Sequence, residues 1–372
     1  KYTETHYNTI YPQDKSRNTS KGKLRIIGLE GAYHGDTMGS MDAANPNHYN
    51  EQVHWYNPKG FWFDPPTIMK TSNGYTISLP SNIKNDNADT SLSSYESIFD
   101  SNRDSSNLAT IYRKHIVQQL NKAVEDGYRF GALVLEPVIM GSAGMLFVDP
   151  LFQRTLVNVV RELYPVPVLL DEVFTGFFRT GPPTASRLLN VDPDIAVFSK
   201  SLTGGLVPLS ATLTNETIFK EFEGPAKTDA LLHGHSYTAY PIGCEVARKS
   251  IELYSRMYPR NCPVNTQPSS KWSEELVDKL ISNPQIKGAF RLGTILVYEL
   301  QDDQTSGYNS TKANKLLRWY HHHVTSPTDT DNFPELFIRP LGNRLYFMMS
   351  HITSESQRKE VESSILQGLE HI

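Results

Sequence analysis

The sequence contains little cysteine, with Cys244 and Cys262 the only two among 372 residues. Two cysteines cannot form the disulfide framework of a small secreted domain, so we expect a reducing compartment inside the cell, either mitochondrial or cytoplasmic. No apolar run reaches the length of about 20 residues that a membrane-spanning helix requires. These absences argue against a disulfide-stabilised secreted protein and against an integral membrane protein.

Neither sign of charge dominates the sequence. Lys and Arg together number 36 against 40 Asp and Glu, and the formal net charge is −4. No basic tract indicates nucleic acid binding. The nucleotide-binding loop Gly-x-x-x-x-Gly-Lys-Ser/Thr is also absent. We therefore expect neither a nucleic acid partner nor a nucleotide held by such a loop.

Metal-ligand clusters are scarce as well. The run His321-His322-His323 is the most obvious candidate. Three consecutive histidines cannot share one face of a helix, and no second cluster is spaced to assist them. We expect a solvated helix end at this point and no metal.

Short apolar runs alternate with helical patterns over the first two thirds of the chain. The predicted strands cover residues 24–29, 131–136, 166–171 and 194–199. The predicted helices cover residues 108–125, 152–163 and 241–258. Such alternation is typical of a parallel sheet with right-handed helical crossovers. Residues from about 45 to 107 form an aromatic and polar insertion with little periodicity, which predicts irregular structure.

The last third of the chain has a different order of elements. We predict helices at residues 272–281, 312–322 and 353–372, one strand at 288–299, and two short strands within 337–350. The change of pattern places a domain boundary near residue 257.

Two charged residues follow apolar runs of the predicted parallel sheet. Asp171 ends the run that begins at Val166, and Lys200 comes after the run that ends at Phe198. Because the carboxyl ends of parallel strands meet at one sheet edge, we expect Asp171 and Lys200 to lie close together. An aspartate can keep a pyridine nitrogen protonated, and a lysine can form a Schiff base with pyridoxal 5'-phosphate (PLP). Each residue alone is more commonly structural, whereas the ordered pair indicates a PLP site.

These segments resemble the class III aminotransferases, which have the type I fold of PLP-dependent transferases. The resemblance rests on Asp171 with its following turn, on Lys200 before a Gly-Gly loop, and on the motif Tyr33-His34-Gly35-Asp36. It implies an α/β fold whose large PLP-binding domain has a mostly parallel sheet flanked by helices. That domain would span residues 1–256, and a smaller C-terminal α/β domain would span residues 257–372.

The resemblance also implies roles for individual residues. Lys200 would bind the cofactor and carry protons, while Asp171 would face the ring nitrogen. Tyr33 would stack on the cofactor ring, and His34 would contact the cofactor. Val173 would pack on the opposite ring face, because a period of two in a strand puts it on the same face as Asp171.

A later segment resembles the part of the family that reaches across a dimer interface. In the segment His233-Gly234-His235-Ser236, the hydroxyl of Ser236, beside Gly234, would bind the phosphate of the partner's cofactor. The protein would therefore be a homodimer. The family's main phosphate site, a Gly-Ser pair upstream of the Tyr-His-Gly-Asp motif, is not found. Because the residues from Lys1 onward read like the end of a helix already under way, we expect further residues upstream.

Substrate-related features resemble the diaminopelargonic acid (DAPA) aminotransferases. Ser142 stands where ornithine- and GABA-type members carry a glutamate, and Asp36 matches an acid near the substrate. Arg339, in an Ile-Arg-Pro segment, would bind the substrate carboxylate by a planar two-point contact. Arg179 would organise the pocket wall, with Tyr33 and Gly234 also contacting substrate.

Longer stretches resemble the aminotransferase part of plant and fungal bifunctional biotin-synthesis enzymes. These stretches are residues 63–67, 147–154, 231–237 and 339–343. The insertion at about 45–107 is a further similarity. The implied reaction transfers an amino group from S-adenosylmethionine to 8-amino-7-oxononanoate, in a chain fused upstream to a dethiobiotin synthetase domain. The aromatic Phe178 replaces the family's usual glycine, a change that the eukaryotic branch tolerates.

Two alternatives compete with this interpretation. The first is a class III aminotransferase for another ω-amino substrate, against which Ser142 and Arg339 weigh. The second is an inactive aminotransferase-like module that serves as a dimerisation platform. The presence of Lys200, Asp171 and Tyr33 together argues against the second alternative, because an inactive module needs none of them.

Overall fold

The computed structural model describes residues 1–12, 24–84, 89–258, 269–302, 310–325 and 338–371. Its helices are α1 (Tyr2–Thr5), α2 (Tyr7–Ile10), α3 (Met38–Met41), α4 (Asn107–Glu125), α5 (Pro150–Leu163), α6 (Ser186–Leu189), α7 (Glu216–Lys220), α8 (Pro241–Met257), α9 (Glu274–Ser282), α10 (Lys312–Thr325) and α11 (Glu355–Leu369). Short 3₁₀ segments lie at Glu96–Phe99, Ser101–Ser105, Lys200–Leu202 and Lys227–Asp229. In these ranges we find no helix with the length and apolar character that crossing a bilayer demands.

The first sheet has six strands and is almost entirely parallel. Its strands are β1 (Leu24–Leu29), β2 (Gly60–Phe63), β6 (Arg129–Leu135), β9 (Val168–Asp171), β10 (Ile195–Phe198) and β11 (Ala211–Thr214). They lie in the order β11-β10-β9-β6-β1-β2. Only the edge strand β11 runs antiparallel to its neighbour. The carboxyl ends of β1, β6, β9 and β10 therefore share one edge, as the sequence pattern predicts.

The second sheet has seven strands and is antiparallel. Its strands are β3 (Thr67–Thr71), β4 (Gly74–Ser78), β5 (Ser91–Leu92), β12 (Ile286–Leu292), β13 (Ile295–Leu300), β14 (Arg339–Leu341) and β15 (Arg344–Met348). The order is β14-β15-β13-β12-β3-β4-β5. A separate small hairpin is formed by β7 (Ile139–Met140) and β8 (Leu146–Phe147).

Helix α5 shows how local sequence fixes an element of the fold. Asp149 caps its first turn by accepting a hydrogen bond from the Leu151 amide, and Pro150 occupies the first helical position. Asp149 is itself fully buried, and Arg103 binds it through two hydrogen bonds of 2.8 Å. The paired charge anchors the insertion to the first sheet's helical layer.

Two sequence predictions about strands are corrected by the structure. The insertion at about 45–107 is only partly irregular, because β2 joins the first sheet and β3 to β5 join the second. The single strand predicted at 288–299 is instead the hairpin β12–β13. Gly293 turns this hairpin with a φ of +56°, a left-handed conformation that suits glycine.

The α/β fold class is confirmed by the structure. Two buried apolar cores are present, one around the first sheet and one formed by residues between Trp272 and Leu369. The second sheet takes strands from both sides of residue 257, so the division into residues 1–256 and 257–372 stays a prediction. The side chains of His321, His322 and His323 lie outside the described part of the structure.

Candidate active site

The carboxyl end of β9 presents Asp171 to the shared sheet edge. The Asp171 Oδ2 atom lies 2.9 Å from the Nδ1 atom of His34, and the two side chains are only 11% and 6% exposed. Asp171 Oδ1 accepts a hydrogen bond of 3.1 Å from the Val173 amide. The carboxylate is thus held in one orientation by a ring and by its own turn.

The neighbouring carboxylate has a structural role. Glu172 is buried, and its oxygens accept hydrogen bonds from the Thr175 hydroxyl and from the amides of Ala185 and Ser186. These bonds pin the turn after β9 to the start of α6. Of the Asp171-Glu172 pair, only Asp171 therefore faces the site.

Glu136 is a site residue that the sequence analysis did not assign. It follows β6, is buried, and accepts hydrogen bonds from the amides of Tyr33 at 3.0 Å and Gly141 at 3.1 Å. Burial raises the pKa of Glu136 to about 7, against the lowering influence of His34 and these amides. Its position at a strand end, directly before Pro137, was the signal available in the sequence. Glu136 fixes the backbone that carries Tyr33 and His34.

Lys200 follows β10 and begins a 3₁₀ segment. Its φ of +41° is unusual for a side-chain-bearing residue, and such strained positions are frequent at functional sites. The Nζ atom lies 5.3 Å from the centroid of the Phe174 ring. The Lys200 residue is exposed in the single chain. Partial burial of its side-chain amine nevertheless lowers the pKa of that amine. Arg179 acts in the same direction, while Glu136 and Asp171 oppose it.

Tyr33 and Asp36, on either side of Gly35 and His34, contact each other through their side chains. Burial, with a hydrogen bond to Asp36, raises the pKa of the Tyr33 hydroxyl to about 12. The ring of Tyr49 meets the Tyr33 ring edge-on, with centroids 6.4 Å apart. Tyr33 therefore stays a neutral hydrogen-bonding group at physiological pH.

Arg179 lies beside the lysine loop and reaches the second sheet. Its guanidinium donates to the Ser201 hydroxyl at 2.6 Å and to the Met348 sulfur at 3.1 Å. Its Nε atom is buried and has no hydrogen-bond partner in the part of the chain that the structure describes. Burial lowers the pKa of Arg179, and no Asp or Glu of the described ranges forms an ion pair with it. A buried arginine without an acidic partner can bind an anionic group of a substrate.

Arg339 is the exposed first residue of β14. It stands opposite Tyr346 of β15, and Met348 is two residues farther along that strand. Cross-strand partners and residues two apart share one face of a sheet. Arg339 therefore lies on the face whose Met348 contacts Arg179.

Other predicted site residues lie differently from the expectation. Strand β9 ends at Asp171, so Val173 is in a turn, and the strand periodicity used to place it is wrong. Its contact with the cofactor ring stays a prediction. Gly234 and Ser236 are exposed in a stretch without regular secondary structure. This stretch is not brought to Lys200 of the same chain by any described contact.

The cluster fits the chemical needs of PLP. Within the described ranges, the partners of Asp171 are a ring nitrogen and an amide, so its carboxylate is available to a protonated pyridine nitrogen. The lowered pKa of Lys200 favours the neutral amine that bonds an aldehyde. The buried Nε2 atom of His34 has no partner among the described residues. Lys200, Asp171, Tyr33 and His34 are therefore the residues that would hold this cofactor.

Comparison with known proteins agrees with this chemistry. A family model described as aminotransferase class-III matches residues 3–366. The bifunctional dethiobiotin synthetase/adenosylmethionine-8-amino-7-oxononanoate aminotransferase of Emericella nidulans is 36% identical, and the match covers 95% of this chain and 48% of that protein. The mitochondrial bifunctional dethiobiotin synthetase/7,8-diamino-pelargonic acid aminotransferases of Oryza sativa subsp. japonica and Arabidopsis thaliana are 38% and 40% identical.

Coverage differs between this chain and those relatives. The two plant matches cover 95% and 89% of this chain but 43% and 39% of the plant proteins, so the chain spans less than half of each relative. A solved adenosylmethionine-8-amino-7-oxononanoate aminotransferase from Methanocaldococcus jannaschii is similar with a TM-score of 0.68 at 20% identity, covering 100% of this chain and 72% of that one. This structural similarity shows a common fold.

Proposed function

This chain belongs to the class III aminotransferases, and from that premise we propose that it transfers an amino group to 8-amino-7-oxononanoate, giving 7,8-diaminononanoate in biotin synthesis. The observation that carries the proposal is the identity of 36–40% to three proteins named for this aminotransferase. The name of the E. nidulans relative includes adenosylmethionine, which supports S-adenosylmethionine as the amino donor.

The family uses PLP, and Lys200 is the residue that would hold it. When bound, PLP withdraws electrons from the carbon that carries the amino group, so that this carbon can lose a proton. Lys200 would then move that proton, because its lowered pKa increases the share of neutral amine near neutral pH. The Phe174 ring, 5.3 Å from the Lys200 Nζ atom, limits where the amine can point.

Asp171 would keep the cofactor ring nitrogen protonated. His34 supports this role, since its Nδ1 atom at 2.9 Å orients the carboxylate and excludes water from it. Glu136 in turn fixes the backbone beside His34, because its Oε1 atom accepts a hydrogen bond of 3.0 Å from the Tyr33 amide. The three residues come from different strand ends, so the sheet itself determines their spacing.

The substrate pocket would use two arginines. Arg339 would bind the distal carboxylate of the keto acid through two parallel hydrogen bonds. Arg179 would form the wall nearer to Lys200 and attract a substrate carboxylate, because its buried charge has no acidic partner among the described residues. Tyr33 and Asp36 would shape the opposite wall.

A homodimer would complete the site with Ser236 and Gly234 of a second copy. Large apolar side chains are exposed in the region after Lys200, and Leu206 and Leu232 are 79% and 73% exposed. The others in this region are Leu213, Phe219, Leu231, Tyr237, Ile242, Ile251, Leu253 and Met257. An exposed apolar surface of this extent supports an interface with another copy.

The relatives also support a proposal for the surrounding protein and its compartment. Each of the three bifunctional proteins combines this aminotransferase with dethiobiotin synthetase, which supports a synthetase domain fused upstream. The names of the plant proteins include a mitochondrial location, which supports the mitochondrion over the cytoplasm.

The proposal is tested by turnover of defined substrates. Purified enzyme with PLP should convert 8-amino-7-oxononanoate to 7,8-diaminononanoate with S-adenosylmethionine, as measured by mass spectrometry. Parallel reactions contain ornithine or 4-aminobutyrate as alternative donors, and Lys200→Ala provides the inactive control. Amination of other keto acids but not of this one would favour another ω-amino substrate. Absence of any transamination and of a visible cofactor band would favour an inactive module.

A further inference from the structure

The loop that carries Arg179 contains two aromatic residues in an unusual conformation. Phe177 and Phe178 have φ values of +57° and +64°. A left-handed backbone is unfavourable for bulky side chains, and neighbouring structure must hold it in place. In this chain, some interaction of the Phe178 side chain must offset the cost.

That interaction is a stack of aromatic rings on α8 and its end. The Phe178 ring stacks on Tyr258 with centroids 4.2 Å apart and an interplanar angle of 9°. The Phe177 ring stacks on Tyr254 at 5.9 Å and 21°. Tyr254 and Tyr258 are four residues apart, so they project from one face of the helical turn. Two ring pairs therefore fasten this loop to α8.

Hydrogen bonds connect the two stacked tyrosines to His351 and to Ser201, and Ser201 contacts Arg179. The Tyr258 hydroxyl hydrogen bonds with the Nδ1 atom of His351 at 3.0 Å. The Tyr254 hydroxyl donates to the Ser201 carbonyl at 2.9 Å, while the Ser201 hydroxyl accepts from Arg179 at 2.6 Å. Burial lowers the pKa of His351 to about 4, so its ring is neutral at physiological pH. The aromatic stack thus ends on the same serine that orients the guanidinium.

The second sheet holds the backbone of Arg179 from the other side. The Arg179 carbonyl accepts from the Thr294 amide at 2.8 Å. A Cβ atom at Gly293 would lie 2.1 Å from that carbonyl oxygen, so the hairpin turn packs directly on it. With its carbonyl fixed, the direction of the Arg179 side chain depends on the φ and ψ of the residues immediately before it. Phe178 directly precedes Arg179, and its stack on Tyr258 is the closer and flatter of the two ring pairs that hold this backbone.

We propose that Phe178 is a positioning residue that, by stacking on Tyr258, directs the Arg179 guanidinium toward the carboxylate of a bound substrate. The inference rests on the proposed role of Arg179 as a substrate contact. Phe178 would act through Arg179 and not by a contact of its own with the substrate. Its role is specific to the aromatic side chain: leucine has similar apolar character but cannot stack, whereas tyrosine can.

The experiment measures binding of hexanoate and hexanamide to the PLP-loaded enzyme by calorimetry, without turnover. Phe178→Leu should weaken hexanoate binding about 3- to 10-fold, the scale of one lost aromatic stack, and leave hexanamide binding unchanged. Phe178→Tyr should restore hexanoate binding to within about 2-fold of the original enzyme. In an Arg179→Ala background, Phe178→Leu should have no further effect, because the two residues act as one unit.

Three results would overturn the inference. The first is equal hexanoate affinity of Phe178→Leu and the unsubstituted enzyme. The second is an equal loss for hexanamide, or a loss that persists with Arg179→Ala, since either would reveal a merely structural residue. The third is an unsubstituted enzyme without preference for hexanoate over hexanamide. An enzyme that shows the expected binding pattern but does not aminate 8-amino-7-oxononanoate would reject the proposed substrate and leave the role of Phe178 supported.

Discussion

Two parts of the candidate site differ sharply in how they are held. The cluster of Asp171, His34, Glu136 and Tyr33 is enclosed and connected by hydrogen bonds of 2.9 to 3.1 Å within one chain. The segment that carries Gly234 and Ser236 is exposed, and its hydrogen bonds are local ones around His235. The first part is therefore organised within the single chain. The second part makes only local contacts with the residues that the structure describes.

This difference suits the two parts to different roles, proton transfer in one and contact with a second copy in the other. The enclosed cluster has fixed polar groups near the carboxyl ends of parallel strands, which suits the control of proton transfer. The exposed segment offers a hydroxyl and flexible glycine backbone next to an exposed apolar surface, which suits contact with a second copy. A site divided as proposed would depend on dimer formation for its phosphate contacts but not for its acid-base residues.

The strongest test of the proposed acid-base residues is removal of the amine of Lys200, which lies next to the enclosed cluster. Lys200→Ala should reduce transamination by about 1,000-fold or more, because both the covalent anchor and the proton carrier are lost. PLP should then bind only noncovalently. Borohydride reduction of the unsubstituted enzyme should attach the cofactor to the peptide that contains Lys200. Lys227→Ala, at an exposed lysine, provides the control, and label on a different lysine would refute the assignment.

A second substitution tests the proposed contact between Arg339 and the substrate carboxylate. Arg339→Lys removes the planar fork and should cost about 2–4 kcal/mol in the keto-acid half-reaction, a decrease of roughly 30- to 1,000-fold. The cofactor absorbance and the donor half-reaction should remain normal. Single-turnover measurement of each half-reaction, with Arg339→Ala alongside, separates the two effects. An unchanged keto-acid half-reaction would make Arg339 a structural residue.

The buried carboxyl of Glu136 predicts a pH dependence within the enclosed part. Its folded-state pKa of about 7 lies above the ordinary value of 4.5, so the folded chain keeps a proton that the unfolded chain loses. This contribution to stability is present below about pH 4.5 and is lost as pH rises through 7. Relative to Glu136→Gln, the free energy of unfolding of the unsubstituted apoenzyme should therefore fall by about 2–3 kcal/mol between pH 4.5 and 8.

Denaturant unfolding of both proteins across this pH range checks the prediction. Glu162→Gln serves as the matched control, since Glu162 is exposed and pairs with Arg113 at 2.7 Å. Parallel pH profiles for Glu136→Gln and the unsubstituted protein would show that Glu136 stays ionised when buried.

Much of the enclosed part could be predicted from sequence. Apolar runs that end in Asp171 and Lys200 identify strand ends, and parallel strands bring such ends to one edge. The assignment of Glu136 required knowledge of its backbone partners, Tyr33 and Gly141, which are distant in sequence. Val173 was placed by strand periodicity, but the strand ends two residues earlier.

The strands of the insertion were missed for a different reason. β3 to β5 are short, and of these three strands β3 pairs with β12, more than 190 residues later in the chain. Local alternation is weak in such strands, so no short window reveals them. The hairpin at Gly293 was predicted as one strand because its two-residue turn interrupts the apolar pattern only briefly.

The measurement that most directly tests the division of the site is complementation between two inactive variants. One chain carries Lys200→Ala, and the other carries Ser236→Asp, whose charge repels the cofactor phosphate. In a mixed dimer, the intact Lys200 of the second chain meets the intact Ser236 of the first. Refolding an equal mixture should restore about one quarter of the original activity, because half of the dimers are mixed and each has one complete site. No recovery above the separate variants would show that Ser236 serves its own chain's site and would contradict the account.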